Sequence, residues 1–149
     1  MPIRISVDGL QQVRNAFEKL TGEQQTEAMK TAFERGANTI ATLAKGFAPV
    51  KSGLLRESIQ VKTTRRLGNV YTRVVISQGW YKGDQFYAAF QEFGYHHGSR
   101  KLGNAREWVP GKKFMRTAVQ MTEGVVPAQI CKDICDAIDR YAAELKGSS

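Results

Sequence analysis

The sequence predicts an α+β domain, with a long helix in its N-terminal half and a C-terminal helix packed on a small antiparallel β-sheet. Apolar residues recur every three or four positions towards both ends of the chain, as in helices, whereas they alternate with polar residues in the middle, as in strands. The 149 residues, 42% of them hydrophobic, match the size and composition of one globular domain. We therefore expect a single domain over 1–149.

Two helices are predicted in the first third of the chain, each after a capping signal. Asp8 and Thr21 are each followed three residues later by Gln, a spacing at which side chains satisfy the free backbone donors of a helix start. We expect a short helix over about 9–20 and the longest helix over about 23–46, which Pro49 ends. Their apolar stripes are Leu10, Val13, Phe17 and Leu20 in the first helix and Ala28, Ala32, Gly36, Ile40, Leu43 and Phe47 in the second.

The pattern then changes to a period of two. Residues 54–61 and 70–77 alternate on either side of a turn region at 65–69, which predicts two antiparallel strands. A third strand is predicted over 86–93, although a helix also fits so short an apolar run. Residues 94–112 contain four glycines and show no period, so we expect a flexible loop that is functional in itself or ordered by a partner.

Helical spacing returns in the C-terminal part. A helical piece is predicted over 113–121, Gly124 interrupts it, and Pro127 suits the first turn of a last helix. The buried stripe of that helix is predicted to comprise Ile130, Ile134, Ile138, Tyr141 and Leu145.

Composition argues against several classes of protein. The chain has no apolar run of the ~18 residues that a membrane-spanning helix needs, and Met1 to Asp8 lack the pattern of a secretory signal. Its two cysteines are too few for an extracellular disulfide scaffold. We therefore expect no membrane association and a chain that stays in a cytoplasm.

Familiar enzyme motifs are absent from the sequence. The stretch Gly46 to Ser52 has a valine where a phosphate-binding loop needs glycine before its Lys and Ser, and there is no serine-hydrolase elbow. Glu92 is the only acid between Phe86 and Lys101, whereas a metal-dependent nuclease needs several carboxylates. We expect no catalytic residue, no metal and no cofactor.

The histidines and cysteines fit structural roles better than chemical ones. His96 and His97 are adjacent and have no cysteine or acidic pair nearby in sequence, which favours polar loop residues over a metal site. Cys131 and Cys135 lie beside the apolar stripe of the last helix at a spacing longer than that of a redox pair. We expect them to be buried, unreactive thiols.

The net charge of +8 is concentrated in two stretches of the chain. Residues 51–73 and 95–116 each carry six basic side chains and one acidic side chain. Cations and aromatic rings could together bind nucleic acid, although a solvated surface explains the charge equally well. The candidates to face DNA or a partner protein are Arg65, Arg66, Arg73, Arg100, Lys101, Arg106, Lys112 and Lys113, interleaved with Tyr71, Trp80, Tyr81 and Trp108.

Three segments, taken in order, resemble a known family. They read APVKSGLLRESI from Ala48, YAAFQEFG from Tyr87 and PGKKFMRTA from Pro110. Together they resemble the bacteriophage tail-component family, also described as tail completion or neck proteins. This chain has Tyr95 where the family usually has Thr, and it inserts three residues after Pro110. The residues that match the family motifs are Pro49, Gly53, Leu54, Arg56, Tyr87, Glu92, Gly94, Pro110, Phe114, Arg116 and Ala118.

The resemblance implies a non-enzymatic structural virion protein. It implies an oligomeric ring at the head-tail junction, expected to be hexameric in the assembled virion, that completes the tail or joins it to the head. The implied partners are other neck or tail proteins, such as a tail terminator and head-completion or connector proteins, with passing contact to genomic DNA. The implied location is the virion, and the host cytoplasm during assembly.

Two further expectations accompany this resemblance. Arg56 could pair with Glu92 within the sheet. A small basic nucleic-acid-binding module, or a toxin-like ribonuclease, stays open as the alternative function.

Overall fold

The structure is a computed structural model that describes residues 10–50, 53–77, 87–98 and 107–148. In these ranges the elements are, in chain order, α1 (Leu10–Phe17), α2 (Gly22–Phe47), α3 (Leu54–Ser58), β1 (Ile59–Arg66), β2 (Asn69–Ile76), α4 (Ala88–Phe93), β3 (Gly94–His97), β4 (Glu107–Pro110), α5 (Phe114–Thr122) and α6 (Val125–Gly147). Strand β1 pairs with β2, and β3 pairs with β4. Long helices together with small antiparallel sheets confirm the predicted α+β class.

The chain divides into two compact units. The first comprises Met1–Ile40, Val61–Val74 and Met121–Ser149, and the second comprises Ala41–Gln60 and Val75–Gln120. Compact units of this kind occur within one domain as well as between domains, so a single domain over 1–149 stays a prediction.

Helix α2 begins at the capping signal that the sequence predicts. The Thr21 hydroxyl accepts a hydrogen bond from the Gln24 backbone N–H at 3.3 Å, and the Gln24 side chain accepts one from the Thr21 N–H at 3.1 Å. This reciprocal pair satisfies donors that the helix itself leaves free. The other predicted cap, at Asp8, lies outside the described residues.

In the first unit, α2 packs closely on α6 through small side chains. Gly36 is buried, and a Cβ atom there would approach Val126 Cγ1 to 3.0 Å and Ile130 to 3.1 Å. Ala28 and Ala32, which precede Gly36 at four-residue spacing, are also buried. Helix α1 contacts α6 in the same unit. The small residues of α2 thus allow the two helices to approach each other closely.

Two of the predicted apolar stripes end differently from what the sequence indicates. Phe47 is 39% exposed, because the buried line of α2 continues through Ala41 and Ala44. A four-residue spacing exceeds the 3.6 residues of a helical turn, so the buried line shifts along the helix. Leu145 is 66% exposed, and every other described residue after Tyr141 is exposed as well; the buried residues of α6 are Val126 and Ala137.

The predicted strand at 54–61 is wrong in its first half. Leu54–Ser58 forms the short helix α3, and β1 begins only at Ile59. Gly53 precedes the helix with φ of 80°, and Leu55 and Ser58, three residues apart, are both buried. Buried side chains three residues apart are typical of a helical turn. The apolar run is too short for its sequence pattern to distinguish a helix from a strand.

The β1 and β2 strands form a tight hairpin. Leu67 and Gly68 have φ of 51° and 78°, the positive values that a two-residue type I′ turn requires. The Thr63 and Thr72 hydroxyls lie 3.2 Å apart across the strands. The two strands are therefore antiparallel in the register that the turn sets.

For residues 86–93 the structure decides between the two alternatives that the sequence leaves open. The strand is wrong, because Ala88–Phe93 forms helix α4, which buries Ala88 and Glu92 at helical spacing; Phe86 lies outside the described residues. Both described ends of the loop expected over 94–112 form strands, β3 and β4, with Gly94 opposite Pro110 and His97 opposite Glu107. Residues 99–106 lie outside the described residues, so the flexibility of that segment stays a prediction. Strands of four residues are too short for periodicity to reveal.

Candidate functional site

Glu92 connects α4 to the start of α5. Its two carboxylate oxygens accept hydrogen bonds from the backbone N–H groups of Met115 at 2.8 Å and Arg116 at 3.0 Å. These donors belong to the first turn of α5, where backbone N–H groups lack partners within the helix and a negative charge is favourable. Glu92 is 9% exposed, so this cap is largely shielded from water.

This geometry corrects the expected ion pair between Arg56 and Glu92. Among the described residues, Glu92 takes part in no ion pair, because both of its oxygens serve the α5 backbone instead. Arg56 lies exposed on α3. The sequence indicates that Glu92 matters, but its partners are backbone groups more than twenty residues away, which residue types do not reveal.

Two glycines allow the chain at the end of α4 and the chain just before α5 to come into close contact. Gly94 has φ of 88°, and a Cβ there would lie 2.6 Å from the Val109 carbonyl oxygen and 2.7 Å from the Trp108 ring. A Cβ on Gly111 would collide with the Glu92 carbonyl oxygen. Both positions therefore require glycine for space, and Gly94 requires it for its backbone angle as well.

The Pro110-to-Ala118 motif anchors α5 in the core of the second unit. Phe114 is one of the two largest fully buried side chains among the described residues, and Ala118, one helical turn later, is equally buried. Just before the helix, the Lys112 N–H donates to the Gln91 carbonyl at 2.6 Å. The structure therefore brings Glu92, Gly94, Pro110, Phe114 and Ala118 of the motifs into one framework.

The remaining motif residues have local surroundings. Pro49 is half-buried just after α2, and Gly53 forms the left-handed residue before α3. Leu54 is 43% exposed and Tyr87 is 55% exposed, while the side chain of Arg116 points away from the core. These positions make turns or lie on the surface, and a contact of theirs with a partner stays a prediction.

The described basic candidates differ in their local surroundings. Arg65 forms an ion pair with Glu27 of α2 at 2.6 Å, whereas Arg66 and Arg73 are exposed on the hairpin. Lys112 and Lys113 are exposed before α5, where Lys113 has φ of 53°. The candidates that lie outside the described residues are Arg100, Lys101 and Arg106, with the aromatics Trp80 and Tyr81.

Sequence reasoning missed one cation of the hairpin. Lys62 is exposed, and the hairpin register places it opposite Arg73. The sequence pattern that could have identified it is alternation, because Lys62 stands between Val61 and Thr63, which the structure shows to be half-buried.

The histidines and cysteines show no grouping typical of a metal centre. The ring of His96 lies 4.9 Å from that of Trp108, edge to face, and His97 follows on the other face of β3. Among the described residues, no three His, Cys, Asp or Glu side chains come together as metal ligands would.

The two cysteines of α6 are free and half-buried. Burial raises the pKa of the Cys135 thiol, and the neighbouring Cys131, Asp139 and Asp136 raise that pKa further. A raised pKa leaves less thiolate at neutral pH, which disfavours redox or nucleophilic chemistry at Cys135.

Comparison with known proteins gives one match. Residues 11–94, more than half of the chain, match the model of the HK97-gp10-like family, whose members are described as proposed bacteriophage tail components. The chain belongs to the HK97-gp10-like family. No curated protein and no solved structure matches it.

Membership of the HK97-gp10-like family identifies the protein as a structural component of a phage tail and places it in the virion. The matched residues include the Glu92 and Gly94 motif but end before Pro110. In the described ranges, no helix is long and apolar enough to span a membrane.

Proposed function

We propose that this HK97-gp10-like protein is a tail completion or neck protein that assembles as a ring at the head-tail junction. In this proposal it finishes the tail or joins it to the head, without catalysis. Its partners are copies of itself, in a hexamer, and neighbouring tail-terminator and head-connector proteins. The observation that carries the proposal is the family match over residues 11–94.

An open aromatic surface of the second unit supports assembly with other subunits. Gly94 lies opposite Pro110, and His96 lies opposite Trp108, so these four residues share one face of the β3–β4 ribbon, which we call the Trp108 face. The indole of Trp108 lies over Gly94, yet it remains 52% exposed. Phe93, next in sequence to Gly94, is 69% exposed.

An open face of this kind suits a subunit contact. A two-stranded ribbon is marginally stable alone and gains stability when something covers it. Exposed tryptophan in particular is enriched where subunits meet, and truncating such an anchor typically costs about 2 kcal/mol or more of binding. We assign the Trp108 face to the neighbouring copy in the ring.

Complementation tests this proposal. A phage lacking the gene is supplied with the wild-type protein, with Trp108→Ser or with the control Leu67→Ser, which changes an apolar side chain that is 92% exposed at the hairpin tip. We expect the wild type and the control to restore joined particles. We expect Trp108→Ser to lose some stability with the ring contacts but still to unfold cooperatively, and to leave unjoined heads and tails.

Two outcomes would contradict the proposal. If particles lacking the protein contain normally joined heads and tails, the placement at the junction is wrong. If Trp108→Ser restores joining as well as the wild type does, the assignment of the Trp108 face to a subunit contact is wrong. The complementation assay is preferable to the oligomeric state in solution, because a ring protein can stay monomeric until its template is present.

A further inference from the structure

The β1–β2 hairpin presents one face made of hydrogen-bond donors. Strand residues alternate between two faces, and the type I′ turn sets the cross-strand pairs. Lys62 therefore lies opposite Arg73, and Thr64 lies opposite Tyr71. The exposed members of this face, which we call the cationic face, are Lys62, Thr64, Arg66, Asn69, Tyr71 and Arg73.

The opposite face of the hairpin is directed towards protein. Its residues Val61, Thr63, Val70, Thr72 and Val74 are half-buried. Arg65 differs from the cations of the cationic face, because Glu27 of α2 lies 2.6 Å away and compensates its charge. Among the described residues, the hairpin thus has one cation that pairs with an acid of α2, whereas the three cations of the cationic face have no acid as partner.

No described acid compensates the charges of the cationic face. The sequence from Ile59 to Ile76 contains no Asp or Glu, and none of Lys62, Arg66 and Arg73 takes part in an ion pair with a described residue. Like charges directly opposite each other on a sheet, as at Lys62 and Arg73, destabilise it. The arrangement costs stability and therefore points to an anionic partner.

We propose that the cationic face binds the phosphate backbone of duplex DNA without reading its sequence. All six of its side chains belong to the types that donate hydrogen bonds to phosphate oxygens. A two-stranded ribbon also has dimensions that the major groove accepts. The inference rests on the proposed function only for the identity of the nucleic acid, which in a tailed phage is the genome.

An acidic protein surface fits the cationic face less well. Stable protein interfaces have an apolar core, but Tyr71 supplies the only large apolar surface among the six residues. The Tyr71 ring is 53% exposed, so its hydroxyl can reach a phosphate, while the cations on both strands lie around it. Duplex DNA supplies a continuous row of negative charges and needs no apolar contact.

Fluorescence anisotropy with a short labelled duplex of mixed sequence tests the proposal on the full-length chain. The test variant replaces Lys62, Arg66 and Arg73 with Gln. Its matched control replaces Lys132, Arg140 and Lys146 of α6 with Gln; these are also exposed, and the net charge changes by the same amount. Thermal unfolding of each variant establishes that the fold is intact.

The expected difference lies in the salt dependence of binding. Three phosphate contacts correspond to a slope of about 2.7 in the logarithm of affinity against that of salt, or about 40-fold between roughly 50 and 200 mM. We expect the test variant to lose most of that slope and the control to retain it. Equal losses in the two variants, or no binding by the wild type at low salt, would overturn the proposal.

Two additional probes identify the partner class. Polyglutamate in place of the duplex tests the acidic-protein alternative, and tighter binding of polyglutamate than of duplex DNA would overturn the proposal. Tyr71→Ala should weaken duplex binding only slightly. If the wild type bound single-stranded DNA more tightly than the duplex and Tyr71→Ala abolished that preference, base stacking would explain the binding and the proposal would be overturned. Since none of these measurements involves joining of heads and tails, failure here leaves the complementation result unaffected.

Discussion

The two β-hairpins are held in different ways. The β1–β2 hairpin has strands of eight residues and a two-residue turn with the positive φ angles that its type requires. Contacts between residues close in sequence therefore determine its register. The β3–β4 ribbon has strands of four residues, and it is held by the Gly94 and Gly111 contacts and by the Glu92 cap on α5. A long ladder can supply its own stability, whereas a short one depends on backbone contacts beyond the ladder.

The largest loss of stability should follow from adding one methyl group to the β3–β4 ribbon. In Gly111→Ala, the new Cβ would meet the Glu92 carbonyl oxygen and lie 2.5 Å from the Gly94 nitrogen. Both obstacles are backbone atoms and cannot rotate away. We expect urea unfolding to show a loss of about 3 kcal/mol or more, or a chain that fails to fold cooperatively.

Gly46→Ala is the matched control for this glycine substitution. Gly46 lies in α2 and is exposed, and a Cβ there would meet nothing within 4 Å. Because alanine restricts the unfolded chain and favours helix, we expect a gain of about 0.5 to 1 kcal/mol. If Gly111→Ala were as stable as the wild type, the close approach that defines the short ribbon would be wrong.

The second largest effect should come from Glu92. Glu92→Ala leaves the N–H groups of Met115 and Arg116 without their acceptors in a site that water reaches poorly. We expect a loss of about 2 to 3 kcal/mol in urea unfolding. Glu92→Gln retains one acceptor oxygen without the charge, so it should lose about half as much.

Glu123→Ala is the control for the removal of an acid from the chain. Glu123 is exposed just after α5, so its substitution should change the free energy of unfolding by no more than about 0.5 kcal/mol. Equal losses for Glu92→Ala and Glu123→Ala would mean that the carboxylate does not cap α5 and that the ribbon is anchored in another way.

The same contrast between hairpins explains which features the sequence predicts. Alternation identified most of β1–β2, and periodicity with a capping box located α2, because these signals lie between residues close in sequence. The sequence also marks Glu92 and Gly94 by their motif, but not the capping of α5. That role depends on residues 92 and 115 meeting in space, and a single sequence contains no information on such a pairing.

The basic residues show the same limit at the candidate site. Charge counting grouped Arg65 with Arg66, although adjacent strand residues face opposite sides. Only the position of Glu27 reveals that Arg65 forms an ion pair, and the cross-strand register shows that Lys62 lies opposite Arg73. The number of charges along the sequence thus predicts which segment carries a basic surface, whereas the fold determines which of its residues lie on that surface.

A stabilising substitution in the turn tests whether the β1–β2 hairpin is determined by its own sequence. Leu67 has φ of 51° and is 92% exposed, so it bears the strain of a left-handed residue without gaining burial. Leu67→Asn produces Asn-Gly, the preferred sequence of a type I′ turn, and should raise stability by about 0.5 to 1 kcal/mol. Leu67→Ala controls for loss of the side chain and should be close to neutral. A stability gain from alanine equal to that from asparagine would show that side-chain exposure, not backbone angle, is responsible.

The smallest effect on stability should come from removing a single cross-strand contact of the β1–β2 hairpin. The Thr63 and Thr72 hydroxyls lie 3.2 Å apart and are partly buried, so Thr63→Val and Thr72→Val should show a coupling energy of about 0.2 to 1 kcal/mol in a double-mutant cycle. Valine preserves the branched shape and the strand preference. A second cycle, with Thr64→Val and Thr72→Val, is the control, because Thr64 lies on the other face and should not couple. A coupling above about 2 kcal/mol would make this hairpin depend on one contact as strongly as β3–β4 depends on Glu92, and the distinction between the two would be lost.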